Sequence, residues 1–189
     1  MGKLVVTEFV SLDGVAEDPG GAEGYAQGGW AFKFDRGAGG DRFKAEELEA
    51  ADAHLLGRVT YQAFAEAWPS RSGEFADKLN SMPKHVVSSS PLTPDWTNSS
   101  RLEGELETEV RALKERYAGE VLIAGSLGLV QALTELGLVD EYRLMIYPIL
   151  LGGGKRLFAP GGPPHPLRMV RHERAGDCLT VIYEPAPSR

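Results

Sequence analysis

The sequence is poor in the features that define secreted, membrane-spanning and metal-binding proteins. Its one cysteine, Cys178, excludes an intramolecular disulfide and fits a reducing compartment. No apolar run approaches the roughly 20 residues of a membrane span, and residues 1–10 alternate and contain an acid, unlike a signal peptide. The four histidines lack metal-ligand spacing. We therefore expect a cytoplasmic protein without a bound metal or a membrane contact.

Positive charge is also scarce. The chain has 20 lysines and arginines against 27 aspartates and glutamates, which argues against a nucleic-acid-binding surface. Its serines include no Gly-x-Ser-x-Gly elbow, so a serine hydrolase has no support. A length of 189 residues suits one domain, 1–189, in which we expect residues 185–189 to form a frayed tail.

Apolar patterns predict strands that alternate with helices. The predicted strands are 4–10, 53–56, 85–87, 121–124, 141–147, 167–173 and 179–184. The predicted helices are 41–51, 59–67, 75–80, 106–117 and 129–136. The alternation indicates an α/β protein with a mostly parallel central sheet, helices on both faces and an antiparallel C-terminal edge. Ligands bind beyond the carboxyl ends of the strands in such sheets.

One such strand end has the composition of an anion site. Gly57 ends a buried strand, and Arg58 and Thr60 lie on the first turn of the helix that follows. A helix N-terminus offers unpaired N–H groups and the positive end of its dipole. The guanidinium and the hydroxyl add phosphate-binding groups, so the pattern predicts a site for a phosphorylated ligand.

Two further strand ends have weaker signals. Gly125-Ser126-Leu127-Gly128 is a second turn from a strand through glycine to a helix, which suits a pyrophosphate or only a tight turn. Ser88 and Ser89 end another strand, where their hydroxyls suit a ribose or its phosphate, or form an ordinary polar loop. Two glycine turns on one sheet favour a nucleotide.

The long loop from Ser11 to about Gly40 leaves several roles open. Asp13 lies either at the mouth of the pocket as a catalytic group or in a simple turn. Trp30 either stacks on a planar ligand or pins the loop to the core. Later in the chain, residues 148–158 either line the substrate side, form a dimer contact or make a glycine hairpin.

In combination, these motifs resemble the dihydrofolate-reductase-like family, in the bacterial branch related to the C-terminal reductase domain of the bifunctional riboflavin biosynthesis protein. The motifs are 10–14, 56–61, 87–89, 123–126, 139–142 and 148–154. The resemblance implies a three-layer α/β/α fold, a homodimer and an NADPH site. The implied cofactor residues are Gly57, Arg58 and Thr60 at the phosphates, Ser88 and Ser89 at the ribose and its 2′-phosphate, and Gly125, Ser126, Leu127 and Gly128 under the pyrophosphate and nicotinamide.

The chain departs from folate reductases at two points. They commonly have Gly-Gly where this chain has Gly125-Ser126. They also place one carboxylate on the helix after the first long loop, whereas this helix has four acids: Asp41, Glu46, Glu47 and Glu49. The sequence also lacks the deaminase domain that is fused to the riboflavin-pathway reductase.

The sequence therefore predicts an NADPH-dependent oxidoreductase, similar to 5-amino-6-(5-phosphoribosylamino)uracil reductase or to dihydrofolate reductase. Such an enzyme passes a hydride to a C=N or C=O bond of a small heterocycle. Asp13 and Trp30 are the candidates on the substrate side. Two alternatives remain: a nucleotide-binding dimer without turnover, and a reductase that uses a flavin or deazaflavin, since glycine turns hold any phosphate.

Overall fold

The computed structural model describes residues 1–187, which contain eight strands and five helices. The strands are β1 (Lys3–Ser11), β2 (Ala51–Gly57), β3 (Lys84–Val87), β4 (Ser99–Leu102), β5 (Glu120–Ala124), β6 (Glu141–Tyr147), β7 (Leu167–Ala175) and β8 (Cys178–Pro185). The helices are α1 (Gly37–Ala50), α2 (Arg58–Ala67), α3 (Glu74–Ser81), α4 (Leu106–Arg116) and α5 (Leu127–Glu135). None of these helices is both long enough and apolar enough to span a membrane.

All eight strands form one sheet in the order β4-β3-β2-β5-β1-β6-β8-β7. The six strands from β4 to β6 are parallel, while β8 is antiparallel to both β6 and β7. The predicted α/β class, with a mostly parallel sheet and an antiparallel C-terminal edge, is confirmed. Because the six parallel strands end at the same edge, the loops that follow them lie side by side.

Strand β1 lies between the two helical layers and is buried on both faces. Leu4 and Val6 pack with α4 and α5, whereas Val5 packs on the opposite face with α1, α2 and α3. Successive side chains of a strand point to opposite faces, so the apolar run Leu4-Val5-Val6 serves both cores. This packing confirms the predicted three-layer arrangement.

The parallel neighbours β1 and β5 are followed by helices on opposite faces of the sheet. The chain leaves β1 through α1 toward β2 on one face, and leaves β5 through α5 toward β6 on the other. Neighbouring strands whose connections lie on opposite faces leave a crevice at their carboxyl ends, where α/β proteins bind ligands. The register places the last β1–β5 pair at Thr7 and Ala124, so the crevice opens immediately beyond it.

Several boundaries differ from the sequence-based expectations. Strand β4 was not predicted, because only its last residue, Leu102, is apolar and an edge strand needs little burial. Helix α1 begins at Gly37 rather than at residue 41, within a glycine-rich segment that weakens the helical signal. A short 3₁₀ turn, Trp30–Lys33, interrupts the expected loop.

The tail predicted for residues 185–189 overlaps β8 by one residue. Pro185 is the last residue of β8, and the Ala186 N–H donates a hydrogen bond to the Pro166 carbonyl at 2.8 Å. Residues 188 and 189 of that predicted tail lie outside the described residues.

Candidate active site

The three strand ends that were singled out in the sequence lie next to one another. Gly57 ends β2, Ser88 follows β3, and Gly125 follows β5, and these strands are neighbours in the order β3-β2-β5. Adjacent strands are about 4.8 Å apart, so the three turns form one continuous rim. The topology thus brings together residues that are separated by as many as 68 positions in the chain.

Two of these turns are joined by a pair of hydrogen bonds. The Gly57 N–H donates to Ser126 Oγ at 2.8 Å, and the Ser126 N–H donates to Thr60 Oγ1 at 2.8 Å. A Cβ atom at Gly125 would lie 2.9 Å from Thr60 Cγ2, and the φ angle of Gly125 is +72°. Glycine is therefore required at 125 both by space and by backbone conformation. We call this arrangement of Gly57, Thr60, Gly125 and Ser126 the clasp.

The clasp explains the serine at the position where folate reductases have glycine. Ser126 adopts a left-handed conformation with φ of 60°, which costs a residue with a side chain roughly 1 kcal/mol. Its hydroxyl offsets that cost by accepting the Gly57 N–H. Ser126 therefore ties α5 to α2 at their first turns.

The N-termini of α2 and α5 face the rim without side-chain caps. In the described part of the chain, neither Gly57 nor Ser126, the residues that precede these helices, makes a side-chain hydrogen bond to the helix it precedes. The first-turn N–H groups and both helix dipoles therefore favour an anion at this place. Arg58 is exposed on the first turn of α2, and its guanidinium lies 3.4 Å from Ser90 Oγ.

A cavity of about 570 Å³ lies at the carboxyl ends of β3 and β4. It is lined by Val87, Ser88, Ser89, Arg101, Leu102, Glu103 and Gly104. Ser88 Oγ is engaged in the loop, since it donates to the Ser90 carbonyl at 2.8 Å and accepts from the Ser90 N–H at 3.2 Å. The Arg101 guanidinium is hydrogen-bonded to Glu103. Sequence reasoning missed Arg101 because it missed β4.

Asp13 connects the first loop to the later glycine-rich loop. Its carboxylate accepts the Gly152 N–H at 2.8 Å, the Leu151 N–H at 3.2 Å and the Ser11 hydroxyl at 2.6 Å. The Ser11 hydroxyl and the two backbone groups lower the pKa of Asp13 to about 2. The carboxylate is thus ionised at neutral pH, which is the opposite of what a proton donor requires.

The glycine-rich loop packs against the first loop along its length. Leu12 N–H donates to the Ile149 carbonyl at 2.9 Å, and Ala16 N–H donates to the Lys155 carbonyl at 2.9 Å. The sequence left three roles open for residues 148–158. This contact fits the first, a lining of the substrate side, because it places the loop at the same edge of the sheet as the clasp.

Trp30 is completely buried. Its indole N–H donates to the Glu17 carbonyl at 2.9 Å, and its ring lies edge-on to Tyr147 with centroids 5.3 Å apart. Of the two roles that the sequence left open, this position fits the one that pins the loop to the core. A stacking ligand would need an exposed ring face, which Trp30 does not offer.

Helix α1 contributes one buried acid. Glu47 is 2% exposed and bonds to the Lys44 ammonium at 2.6 Å and to the Thr7 hydroxyl at 2.7 Å. The other acids of this helix, Asp41, Glu46 and Glu49, are exposed. Glu47 is the acid of α1 that a ligand on this face would meet, and its neighbours already neutralise its charge.

Glu8 is a buried acid that the sequence analysis did not single out. It lies on β1, is 5% exposed, and its Oε1 has no hydrogen-bond partner among the described residues. Burial raises the pKa of Glu8 to about 8, against a smaller opposing effect of the Lys44 charge and of a hydrogen bond from the Gly125 main chain. The sequence does contain one signal that could have pointed to Glu8: it is an acid between Val6 and Val10 on one face of a mostly apolar strand.

Comparison with known proteins identifies the family. Residues 2–181 match the family described as the RibD C-terminal domain. The chain belongs to this family. The uncharacterized protein YyaP of Bacillus subtilis is 27% identical over 191 residues, which is 96% of this chain and 94% of that protein.

Members of the RibD C-terminal domain family and folate reductases share this fold. A Shewanella sp. PV-4 protein that is provisionally assigned to riboflavin biosynthesis has a TM-score of 0.78 at 20% identity, covering 98% of this chain and 99% of that one. A dihydrofolate reductase from Enterococcus faecalis complexed with NADP(H) has a TM-score of 0.58 at 14% identity, covering 98% and 97%. The fold is therefore dihydrofolate-reductase-like, and the family resemblance inferred from the motifs is confirmed.

Proposed function

We propose that this chain is an NADPH-dependent reductase that passes a hydride to a C=N or C=O bond of a small pterin-like or ribosyl-aminopyrimidine-like heterocycle. The observation that carries the proposal is the clasp, which holds the uncapped N-termini of α2 and α5 side by side. Membership of the RibD C-terminal domain family supports a reductase, as does the fold shared with a folate reductase that binds NADP(H).

The residues present fit a phosphorylated dinucleotide. The helix N-termini of the clasp supply N–H donors for the pyrophosphate, in the segment that contains Leu127 and Gly128. Ser88, Ser89 and Arg101 line the cavity next to them. A ribose 2′-phosphate there would accept from the Ser89 hydroxyl and from the Arg101 guanidinium in place of its contact with Glu103, while the Ser88 hydroxyl stays bonded to Ser90. When bound, NADPH would supply the hydride, while the protein supplies binding, orientation and electrostatics.

A direct test mixes the protein with NADPH and a panel of pterin, flavin and ribosyl-aminopyrimidine substrates and follows the loss of NADPH absorbance. Oxidation with any of the heterocycles supports the reductase. Tight NADPH binding without oxidation of any substrate favours a non-catalytic nucleotide-binding protein. Tighter binding of a flavin or deazaflavin than of NADPH, measured by titration calorimetry, would identify the flavin or deazaflavin as the cofactor in place of NADPH.

We expect the Arg58→Ala substitution to weaken the binding of NADPH more than that of NADH, because its guanidinium lies 3.4 Å from Ser90 Oγ, beside the cavity proposed for the 2′-phosphate. A charge-assisted hydrogen bond to a phosphate contributes about 1.5–3 kcal/mol, which corresponds to roughly a 10- to 150-fold loss of affinity. Dissociation constants for both dinucleotides, measured by quenching of protein fluorescence, check this expectation. An equal loss for both would place Arg58 at the shared pyrophosphate instead.

Two further arginines make this comparison specific. Arg101→Ala tests the second guanidinium beside the serine cavity and is expected to affect NADPH more than NADH. Arg111→Ala removes an exposed arginine of α4 that pairs with Glu107, so neither affinity should change. A loss of NADPH affinity in the Arg111 variant would show that general charge, not a contact, is responsible.

We also propose a homodimer. Leu167, Met169 and Val170 are exposed on β7, an edge strand that, within residues 1–187, pairs only with β8. An exposed apolar edge is a surface that proteins commonly cover by association. A molar mass of one chain by light scattering would end this proposal.

The cytoplasmic location stays a prediction that cell fractionation can test.

A further inference from the structure

Glu8 lies at the place where the sheet opens. The β1–β5 ladder ends at Thr7 and Ala124, and Gly125, the residue after β5, turns away with a φ of +72°. Glu8 is therefore the first residue of β1 beyond the ladder, on the wall of the crevice. The main chain of Gly125 lies close enough to lower the pKa of Glu8 against the effect of burial, so the carboxyl group is next to the clasp.

One oxygen of the Glu8 carboxyl group has no hydrogen-bond partner among the described residues. A buried polar atom without a partner is destabilising, and Oε1 is such an atom among the described residues. Thr7, the preceding residue on the other face, is instead fully engaged with Lys44 and Glu47. Buried polar atoms without a hydrogen-bond partner are concentrated at functional sites.

The charges around Glu8 keep its proton in place at neutral pH. Burial raises the pKa to about 8, and the charges of Glu23 and Glu47 raise it further. Lys44 and the hydrogen bond from Gly125 oppose the shift. Because pKa 8 lies above neutral pH, the side chain is a carboxylic acid there and can donate a hydrogen bond.

The strand order indicates which part of a dinucleotide would reach this acid. The serine cavity lies at β3 and β4, the pyrophosphate site at β2 and β5, and Glu8 on β1 at the crevice. From the cavity to the crevice is three strand spacings, about 14 Å, which suits an extended dinucleotide. With the 2′-phosphate at the cavity, the nicotinamide end arrives at Glu8.

We propose that Glu8 is a ligand-binding acid that donates its proton in a hydrogen bond to the carboxamide oxygen of the nicotinamide ring. This inference rests on the proposed function, because it needs NADPH along the rim. It adds a side chain that recognises the ring, whereas the clasp and the serine cavity recognise phosphates and ribose.

The test is the pH dependence of NADPH affinity, measured by fluorescence titration from neutral to alkaline pH. Ionised Glu8 cannot donate, so we expect the affinity of the wild-type protein to fall by up to about tenfold per pH unit above pH 8. The Glu8→Gln variant keeps an N–H donor of similar shape but cannot ionise, so its affinity should not show this fall.

Adenosine 2′,5′-bisphosphate is the matched control ligand, because it lacks the nicotinamide ring. It should bind the wild-type and Glu8→Gln proteins equally at each pH. Identical NADPH profiles in the two proteins, with this ligand still bound, would overturn the role of Glu8 and leave the proposed function standing. Failure of both ligands to bind would instead remove the proposed function and the inference with it.

An infrared measurement on the wild-type protein makes the test independent of how the variant folds. A protonated carboxyl group has its own carbonyl stretch, and a hydrogen bond to the ring would shift that band. We expect NADPH to shift the band at neutral pH and adenosine 2′,5′-bisphosphate to leave it in place. A band that does not respond to NADPH, or no protonated carboxyl band at all, contradicts the proposal.

Discussion

Replacing Lys84 with methionine is expected to destabilise the protein by about 3–5 kcal/mol. Lys84 is completely buried on β3, and its ammonium donates to the carbonyls of Asn80 at 2.7 Å, Met82 at 2.9 Å and Thr97 at 2.9 Å. Methionine fills a similar volume but leaves these three acceptors without a donor, each at a cost of about 1–3 kcal/mol. Two of them lie at the C-terminus of α3, where a cation also meets the negative end of the helix dipole.

Urea unfolding of the two proteins measures this effect as a shift of the midpoint at constant slope. The exposed Lys33→Met variant is the control and is expected to change the free energy of unfolding by less than about 0.5 kcal/mol. An equal or higher stability of the Lys84 variant would mean that the desolvation of the ammonium outweighs its three hydrogen bonds. Burial does lower the pKa of Lys84 to about 8, but the group is still mostly charged at neutral pH.

His54 is expected to make the protein sensitive to acid. It is completely buried, and neither ring nitrogen has a partner among the described residues. Burial and, secondarily, the charge of Lys84, its register partner on β3, lower the pKa of His54 to about 3. The unfolded chain binds a proton near pH 6.5, whereas the native protein does not until about pH 3. Stability is therefore lost as the pH falls through this window, by about 3 kcal/mol at about pH 4.

The measurement is the difference in unfolding free energy between wild-type protein and the His54→Leu variant as a function of pH. We expect the unfolding free energy of the variant to rise relative to that of the wild type as the pH is lowered, because leucine takes up no proton. A stability difference between the two proteins that does not change with pH contradicts the assignment of acid sensitivity to His54. Glu8, which both proteins retain, acts in the opposite direction: its pKa is raised in the native protein, so its contribution to stability is lost as the pH rises from 4.5 to 8. His165→Leu, at an exposed position, controls for the loss of a histidine.

The fold was largely predictable because its signals are local. Strands β1, β2 and β5 are apolar runs that end at or just before glycine or a polar residue, and their patterns predict buried parallel strands. The turns at Gly57 and Gly125 were found for the same reason, since a glycine between a strand and a helix marks a tight connection.

The parts of the site that escaped prediction depend on distant residues. Asp13 bonds to Leu151 and Gly152, which are 138 and 139 positions away, and no local pattern indicates that contact. Arg101 required β4, an edge strand with a weak apolar signal. Predicting the position of Glu8 would have required the register between β1 and β5. That register shows that β5 has already ended beside Glu8, which leaves Glu8 at the crevice.

The clasp has a consequence for the thermodynamics of binding. Its hydrogen bonds are made entirely within the protein, so the two helix N-termini already hold their separation before a ligand arrives. A ligand that bridges them does not have to order these turns, and the conformational entropy of doing so is not subtracted from its affinity. Glycine at position 126 would relieve the left-handed strain but would remove the acceptor of the Gly57 N–H, so the two effects oppose each other in the stability of the fold, while the affinity of the site falls.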